Sequence, residues 1–573
     1  MLSTVRRVFF NRVKWGLVGI VGAMVVTGGC TETPKPNNST GGQGGAGSGG
    51  EGGSGGSSTA PSDWTVFKES PDTQKVYVSS SDGDDANDGS TPEKAVKTIA
   101  KGISLLRDGM PDWMLLKRGN VWLEALGEWK KSGRSETEPM VVTSYGTEVT
   151  RPILKTGSQI GLSATAGPLQ HVAFVGFHLY AHTRDPDAEF MSAIGGPGIQ
   201  WLAQSVDLLF EDLLIESYST ANIYLKANMA NIRVRRSVIV DAYDVNGDSQ
   251  GLYAEGIQGL LVEENLFDHN GWNTNVNLMD YGKPTIFNHN LYVQANCEDV
   301  TIRGNLSTRG SSHGIQARGG GEVSGNLVLE NPVGISFGLV PDAWDPKMGG
   351  VIGSVKGNFI ADSADVDTIN TAGIGLQIGN IQAATVEDNI LAHDASASNA
   401  SIAIDIRRKT NPLVAEEKVQ NLTIRNNVVY DWRGGIRFGT SALMAVTIQN
   451  NDVQQPVRAS ELVNYYGTSY SAETTYSGNH WFSVANPGSW FTIGAASQSF
   501  DQWLMTSSEQ GATNTEVTYT DTARRLPEYH QSLGKMATFD AFMAEARQQS
   551  QMNWRAEYTA KSALTYLRQG FGK

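Results

Sequence analysis

The chain has 573 residues, of which 64 are glycine, and its formal net charge is −14. This acidic balance argues against a general nucleic-acid binder, although an acidic shell is compatible with a basic groove that takes an acidic substrate. Only two cysteines are present, Cys30 and Cys297. Because Cys30 lies close to the N-terminus, beyond the predicted folded region, we expect no disulfide inside that region.

Residues 1–29 are a predicted targeting segment. Several basic residues precede an apolar stretch over residues 15–26, which is shorter than the roughly 18 residues that read as a membrane span. Small residues at 27–29 then stand before Cys30. The segment resembles a bacterial lipoprotein signal, which implies lipidation of Cys30 after cleavage. Thr27 departs from the usual Leu of that pattern, and an ordinary signal peptide cleaved nearby is the alternative.

Residues 30–63 follow as a Gly/Ser-rich flexible linker without core-forming residues. A lipid anchor followed by such a tether would hold a folded domain away from the membrane surface. Thr31 is not the Asp that favours inner-membrane retention in enterobacterial lipoproteins. The resemblance therefore implies an outer-membrane lipoprotein that faces the periplasm or the cell surface.

An N-terminal cap with the first coils is predicted over residues 64–160. It contains a strand, an acidic turn, an amphipathic helix and a second strand. The oxygen-rich turn suits Ca²⁺, but its spacing does not match a complete Ca²⁺ loop. A Ca²⁺ site and a solvated Asn/Asp-rich turn are the two interpretations. The turn residues are Asp82, Asp84, Asp85, Asn87 and Asp88.

A recurring phrase organises residues 161–455: a short apolar-alternating run leads to an Asn and then to a Gly-rich strand. The phrase returns every 21 to 40 residues and has no helical period. This pattern predicts an all-β fold, a right-handed parallel β-helix in which each coil buries its apolar face against its neighbours. We expect each Asn to sit at an inward corner, where it tolerates the left-handed conformation and can hydrogen-bond backbone amides of the turn, and to stack in a ladder. The repeated residues are Asn265, Asn305, Asn326, Asn358, Asn389, Asn427 and Asn451.

After about residue 455 the repeat fades, so residues 456–573 are predicted to hold the last coils and a C-terminal helical segment. The stretch from Leu526 to the C-terminus reads as one or two helices, with Phe539, Phe542 and Met543 at helical spacing. We expect this segment to cap the solenoid or to pack on its side.

Aligning the Gly-rich strands places residues of equal rank in columns, because neighbouring coils stack about 4.8 Å apart. Side chains then alternate between the core and the outer surface. The inward columns are Leu252, Leu291, Ile315, Ile335, Leu376 and Ala254, Val293, Ala317, Phe337, Ile378. The outward columns are Tyr253, Tyr292, Gln316, Ser336, Gln377 and Glu255, Gln294, Arg318, Gly338, Gly379.

The outward surface is unusual because it gathers Tyr, His, Gln, Arg and Glu over three adjacent coils. We predict an active site whose catalytic residues are His289, Tyr292, His313 and Arg318, with the insertion over residues 272–287 as one wall. The structural alternatives are corner histidines bonded to backbone, a stacked tyrosine and an Arg318–Glu255 surface ion pair. The predicted substrate-binding residues are Tyr253, Glu255, Trp272, Asp280, Tyr281, Lys283, Asn290 and Gln316.

Two groups of motifs resemble known proteins. The cap motifs "VYVSSSDGDDANDGSTPEKAVKTI" and "LLKRG" resemble the N-terminal cap of secreted β-helix proteins of the pectate-lyase-like superfamily. The phrases "HNLYV" and "SHGIQARGGGEVSGN" resemble a branch often assigned to polysaccharide lyases, over most of residues 75–573. Because the same fold also serves hydrolases, epimerases and phage tailspikes, the resemblance does not choose a reaction.

A lyase must remove the C5 proton beside the carboxylate of a uronic acid and protonate the leaving oxygen. Arg318 suits the carboxylate because its guanidinium binds bidentately. His289 or His313 suits the base, and Tyr292 the acid or a combined acid and base. Asn290 and Gln316 suit hydrogen bonds to carboxylate or hydroxyl groups. We expect a monomeric, lipid-anchored polysaccharide lyase that cleaves an anionic polysaccharide by β-elimination.

Three other functions stay open at this point. A glycoside hydrolase needs two carboxylates about 5–10 Å apart, and Glu255 with Asp280 is the plausible nearby pair. The pectin-hydrolase pattern is not present in the chain. A uronate epimerase would share the proton abstraction. A non-catalytic glycan-binding solenoid would carry repetitive polar faces without a localised His/Tyr/Arg cluster.

Overall fold

The computed structural model describes residues 64–188, 192–245, 247–273, 282–340, 346–367, 372–407 and 418–573. The leader, Cys30, the linker, Asp280 and Tyr281 lie outside the described residues. The described chain forms a parallel β-helix with strands in two long sheets, one of 28 and one of 13 strands. The predicted all-β solenoid is therefore confirmed.

The larger sheet consists of two series of stacked strands. The long strands Ala221–Arg235 and Gln250–Glu263 belong to both series and so connect them. Its strands pair in parallel, except that Phe491–Ile493 and Ala496–Gln498 form an antiparallel hairpin. The strands are Lys75–Val78, Trp113–Lys117, Gly127–Glu128, Met140–Tyr145, Leu162–Ala164, Leu169–Val175, Ile199–Trp201, Ser205–Glu211, Ala221–Arg235, Gln250–Glu263, His289–Val293, Glu298–Arg303, His313–Ala317, Gly321–Ser324, Val333–Phe337, Val351–Lys356, Ile374–Ile378, Ile381–Glu387, Ile402–Arg407, Val419–Gln420, Leu422–Arg425, Gly434–Gly439, Leu443–Met444, Val446–Gln449, Val463–Tyr465, Thr474–Ser477, Phe491–Ile493 and Ala496–Gln498.

The smaller sheet has short strands, most of three residues, one per coil. They are Val121–Trp122, Ile153–Lys155, His178–Tyr180, Leu214–Glu216, Val238–Val240, Leu266–Asp268, Leu306–Thr308, Leu327–Leu329, Phe359–Ala361, Ile390–Ala392, Val428–Tyr430, Asp452–Gln455 and His480–Ser483. The coils thus continue beyond residue 455.

The predicted asparagine ladder is present along one inner corner. Each buried carboxamide, from Asn265 to Asn427, donates from Nδ2 to Oδ1 of the next at 2.9–3.0 Å. The ladder continues from Asn451 to Asn479, whose Nδ2 donates to Glu509 Oε1 at 2.7 Å. These bonds satisfy amides that would be costly to bury without partners.

The left-handed residue of each of these corners is not the ladder asparagine itself. The positive φ belongs to the residue before each one, for example Gly304 at 63° and Gly325 at 60°. Glycine has no Cβ and adopts this conformation at little cost. The turn therefore needs the left-handed residue one position earlier, and the asparagine is free to point inward.

The core lies inside the coils, where the ten residues of the two predicted inward columns are all fully buried. Burial of a Val, Leu, Ile or Phe side chain contributes roughly 1.5–3 kcal/mol relative to leaving it exposed. Aromatic residues fill both ends. Trp129 packs edge-on against Phe174 near the start, and Trp503 stacks on Phe491 near the end, with ring centroids 4.6 Å apart.

The N-terminal cap is built around helix α1 (Ile99–Leu105). Thr98 caps it by accepting a hydrogen bond from Lys101 N. Asp85 of the acidic turn accepts hydrogen bonds from the backbone of Lys97 and Thr98 and from the Thr98 hydroxyl, at 2.8–2.9 Å. The turn thus fixes the start of the helix.

The C-terminal region contains α2 (Phe500–Ser507), α3 (Leu526–Ser532), α4 (Phe539–Ala546) and α5 (Ala560–Gly570). Helix α2 carries Trp503 and covers the end of the core, whereas α3–α5 pack on the outer face of the smaller sheet. Of the two placements predicted for the stretch from Leu526, packing on the side of the solenoid is therefore the one observed, and α2 precedes that stretch. The stretch from Leu526 holds three helices rather than one or two, because it is interrupted at the left-handed Gly534 and after Arg547. Short 3₁₀ helices occupy Pro92–Lys94, Pro487–Ser489, Gln551–Asn553 and Ala556–Tyr558.

Candidate active site

The strands of the candidate site pair in the register that the sequence alignment predicted. Tyr253 pairs with Tyr292, Tyr292 with Gln316, and Gln316 with Ser336. His289 pairs with His313 at the start of the same strands. The outward column of four aromatic and polar residues is therefore a structural feature of four neighbouring coils.

The two histidines lie against each other in a buried position. Their ring centroids are 4.5 Å apart, and the His289 ring also lies 4.8 Å from the Tyr292 ring. Both Nδ1 atoms reach Ser312 Oγ, at 2.8 Å from His289 and 2.9 Å from His313. Burial and the nearby charge of Arg318 lower the pKa of His313 to about 3, and burial holds the pKa of His289 well below 6.5. Both imidazoles are neutral at physiological pH.

Gln294 connects the tyrosines with Arg318. Its Nε2 donates to the Tyr292 hydroxyl at 3.0 Å and to the Tyr253 hydroxyl at 3.2 Å. Its Oε1 accepts a hydrogen bond from Arg318 Nη1 at 3.2 Å, and the Arg318 guanidinium lies 4.6 Å from the Tyr292 ring centre. Sequence reasoning placed Gln294 in the right column but did not select it as a site residue.

Tyr253 and Glu255 form the next layer. The Tyr253 hydroxyl donates to Glu255 Oε2 at 2.6 Å, and Lys226 pairs with the same oxygen at 3.1 Å. The alternative ion pair between Arg318 and Glu255 is not formed. Glu255 therefore binds Tyr253 and Lys226 and does not pair with Arg318.

Arg318 is a buried cation without an acidic partner among the described residues. The residue is 4% exposed, and its guanidinium donates to Gln294 Oε1 and lies over the Tyr292 ring. Arg318 Nε, Gln316 Oε1 and Ser336 Oγ are all buried and have no hydrogen-bond partner. Buried charges and polar groups without partners are costly. Three such groups on adjacent coils are what a site for a polar, anionic ligand requires.

Asn290 does not belong to this surface, and its predicted role in substrate binding was wrong. Its side chain is fully buried and donates to Thr308 O at 2.8 Å and to Asn331 Oδ1 at 3.2 Å. It accepts from Asn270 Nδ2 at 3.0 Å, as part of a second, shorter ladder. Asn290 is the second residue of its strand, and the residues of equal rank on the next two coils are Gly314 and Gly334.

Trp272 lies beside a different cavity, of about 620 Å³, between the solenoid and the C-terminal helices. Its indole Nε1 donates to Arg309 O at 2.8 Å. Phe539, Arg309 and Arg525 also line this cavity. The structure thus separates Trp272 from the residues around Arg318. Lys283 is exposed at the end of the insertion.

Two carboxyl groups that sequence reasoning missed face the same cavity. Glu330 and Asp362 occupy equal ranks on neighbouring coils, each in the left-handed residue after a strand of the smaller sheet. Burial and mutual repulsion raise the pKa of Glu330 to about 7, and burial raises that of Asp362 to about 6. Asp362 pairs with Arg525 at 2.6 Å. Aligning this rank as well would have found them.

Within the described part of the chain, no group of three or more His, Cys, Asp or Glu residues is arranged to hold a metal ion. In the acidic turn, Asp82 pairs with Lys117, and Asp85 binds the start of α1. No described helix is long and apolar enough to cross a membrane.

No family model and no curated protein matches the chain. Among solved structures, the alginate lyase AlyF-OU02 in complex with G6 is 13% identical, with a TM-score of 0.46 over 78% of this chain and 90% of that one. A rhamnogalacturonan lyase is 13% identical, with a TM-score of 0.38 over 71% and 87%. The catalytic domain of a GH87 alpha-1,3-glucanase in complex with nigerose is 12% identical, with a TM-score of 0.40 over 73% and 71%. At TM-scores below 0.5, these likenesses assign neither a family nor a reaction to the chain.

Proposed function

We propose that the protein is a polysaccharide lyase that cleaves a uronate-containing polysaccharide by β-elimination. The observation that carries the proposal is Arg318, a buried guanidinium with no acidic partner among the described residues, beside a histidine pair and a tyrosine. A uronate carboxylate would supply the missing anion. It would accept hydrogen bonds from the guanidinium in a bidentate arrangement.

In this mechanism the carboxylate lies against Arg318, which stabilises the negative charge that develops when C5 loses its proton. Nε2 of His289 or His313 takes the C5 proton. The electron pair of the C5–H bond forms the C4–C5 double bond, the C4–O bond breaks, and the leaving oxygen takes a proton from the Tyr292 hydroxyl. The imidazolium and the phenolate then return to their neutral forms by proton transfer.

Substrate binding would also strengthen the base. The charge of Arg318 is one cause of the low pKa values of both histidines. A carboxylate bound to Arg318 offsets that charge, and an opposite charge nearby favours the imidazolium. The pKa of the base would therefore rise when an anionic sugar is in place. A neutral polysaccharide would not have this effect.

The test compares purified wild-type protein and Arg318 variants on a panel of uronate polymers, following the ultraviolet absorbance of the unsaturated product. We expect Arg318→Ala to reduce turnover by roughly 10²–10³-fold, as for the loss of one preorganised charge-stabilising donor. Arg318→Lys should recover only part of the activity, because an ammonium cannot bind bidentately. Arg303→Ala, on the exposed side of a neighbouring strand, is the matched control. A fully active Arg318→Ala protein would refute the lyase proposal.

Hydrolysis in the cavity beside Trp272 is the second candidate function. Glu330 and Asp362, with their raised pKa values, are the observation that favours it, since a hydrolase needs one carboxyl that stays protonated near neutral pH. Saturated products whose formation is lost in Glu330→Gln and unaffected in Arg318→Ala would select this function.

We also propose that the protein is anchored to the outer membrane through a lipid on Cys30, by analogy with bacterial lipoproteins. The leader pattern and the Gly/Ser linker support this proposal. A tether of this kind would leave the domain free to meet a polymer that cannot itself enter the membrane.

A further inference from the structure

Ser312 occupies a central position between the two histidines. Its Oγ atom has four polar neighbours: Nδ1 of His289 at 2.8 Å, Nδ1 of His313 at 2.9 Å, the Asn288 carbonyl oxygen at 2.7 Å and the Ile286 carbonyl oxygen at 3.1 Å. The serine side chain is fully buried. No other described side chain bonds to both imidazoles.

Counting protons around Ser312 leaves one consistent arrangement. A hydroxyl has one proton to donate and two lone pairs that accept. The two carbonyl oxygens are acceptors only, so the proton must point toward them, mainly toward Asn288 O at 2.7 Å. The two lone pairs then accept from the imidazoles, so both Nδ1 atoms must carry a proton.

We infer that Ser312 is a positioning residue that holds His289 and His313 together in the Nδ1–H tautomer. In a neutral imidazole, protonation of Nδ1 leaves Nε2 with a free lone pair. Neither Nε2 atom has a hydrogen bond within the described residues, so each is available as a base. If Ser312 were absent, the tautomer with a proton on Nε2 would become accessible, and that tautomer cannot abstract a proton.

The arrangement also links the histidines to the insertion before them. The two carbonyl oxygens beside the Ser312 hydroxyl belong to Ile286, at the end of that insertion, and to Asn288, which directly follows it. The backbone amide of His289 donates to Gln250 Oε1 at 2.7 Å, and Gln250 Nε2 donates to Phe287 O at 3.0 Å. The orientation of the base is therefore set by the insertion and two neighbouring coils together.

The tautomer can be measured without any substrate. The chain has only 9 histidines, so protein labelled with ¹⁵N at histidine gives a simple long-range ¹H–¹⁵N spectrum. We expect the His289 and His313 signals, assigned with His289→Gln and His313→Gln variants, to show a protonated Nδ1 and an unprotonated Nε2 at neutral pH. A protonated Nε2 on either residue would overturn the inference, whether or not any variant of Ser312 folds.

The catalytic consequence rests on the proposed function and needs a second measurement. Ser312→Ala should lower kcat by about 10- to 100-fold with little change in KM, less than the roughly 10²–10⁴-fold loss for removing a base itself. Its spectrum should show a mixture of tautomers. Ser311→Ala is the matched control, because Ser311 binds the backbone of Thr285 in the same insertion and is not bonded to either histidine.

The two measurements separate the two ideas. A Nδ1–H tautomer in a protein that is inactive on every uronate polymer would sustain the structural inference and remove the lyase proposal. An active enzyme in which Ser312→Ala and Ser311→Ala have the same kcat would show that the serine does not position the base.

Discussion

At the scale of single residues, two kinds of buried polar group have opposite meanings in this protein. The ladder asparagines are buried with their hydrogen bonds made, and each one inside the ladder is bonded to the carboxamides on both sides of it. Arg318 is buried with its hydrogen bonds incomplete, and so are Gln316 and Ser336 nearby. Complete bonding stabilises the coils, whereas the unpartnered atoms around the buried Arg318 are those for which we propose that a ligand supplies partners.

The ladder makes the first prediction. Asn326 accepts from Asn305 and donates to Asn358, so Asn326→Ala leaves buried groups unsatisfied on two neighbouring coils. We expect a loss of about 1–3 kcal/mol for each unsatisfied group, seen as a lower thermal midpoint. Asn514→Ala, an exposed asparagine outside the ladder, should leave the midpoint unchanged. Equal midpoints for the two variants would contradict the structural role of the ladder.

At the scale of elements, the C-terminal helices cover an apolar surface that the solenoid leaves on its outside. The smaller sheet presents a row of aliphatic side chains to α3, α4 and α5. A partly buried ion-pair network adds to this contact, because Arg547 binds both Asp241 and the fully buried Asp268, at 2.6 Å each. Together with Arg309, it lowers the pKa of Asp268 to about 2. The helices are therefore part of the folded domain.

Phe542 provides the test at this scale. It belongs to α4, is fully buried, and packs against the rings of Tyr529 and Tyr558. Phe542→Ala should cost about 3–5 kcal/mol, because it removes a large side chain from a packed interior and leaves a cavity. Met536→Ala is the control, since Met536 is exposed. Thermal unfolding followed by circular dichroism gives the comparison, and a Phe542→Ala midpoint equal to that of the control would show that the helices do not stabilise the solenoid.

At the scale of the whole molecule, the described chain shares one core along the length of its coils, closed by aromatic residues at both ends. A solenoid of this kind exposes an unpaired edge at each end unless something covers it. Here α1 lies near the first coils and α2 covers the last.

The proposed anchor is tested at this scale. If Cys30 carries the lipid, Cys30→Ser should move the protein from the membrane fraction to the soluble fraction and lower its mass by that of the lipid. Cys297→Ser is the matched control, because Cys297 is the only other cysteine and is buried in the core. Membrane fractionation and mass spectrometry report the outcome. A Cys30→Ser protein that stays with the membrane would exclude the lipoprotein proposal.

The sequence by itself determined the solenoid, the ladder and the register of the site strands. These features follow from local patterns: a strand alternates its side chains with a period of two, and equal coils superpose equal ranks. The sequence alone therefore places four site residues on two adjacent coils of one series of strands. They are His289, Tyr292, Gln316 and Arg318. The number of C-terminal helices was harder to predict, because short helices are defined by their caps and by what they pack on.

Only the tertiary structure decided which of these side chains have partners. Asn290 lies at the second position of its strand, where the neighbouring coils carry Gly314 and Gly334. This position faces the interior, since a Cβ added to Gly334 would lie 2.5 Å from a side-chain atom of Ile360. Trp272 lines a separate cavity because of where the C-terminal helices dock. The bond of Ser312 to His289 and the bond of Arg318 to Gln294 join residues 23 and 24 positions apart, on different coils. Sequence periodicity places a residue on a face, but contacts across coils and loops decide its bonding and hence its chemistry.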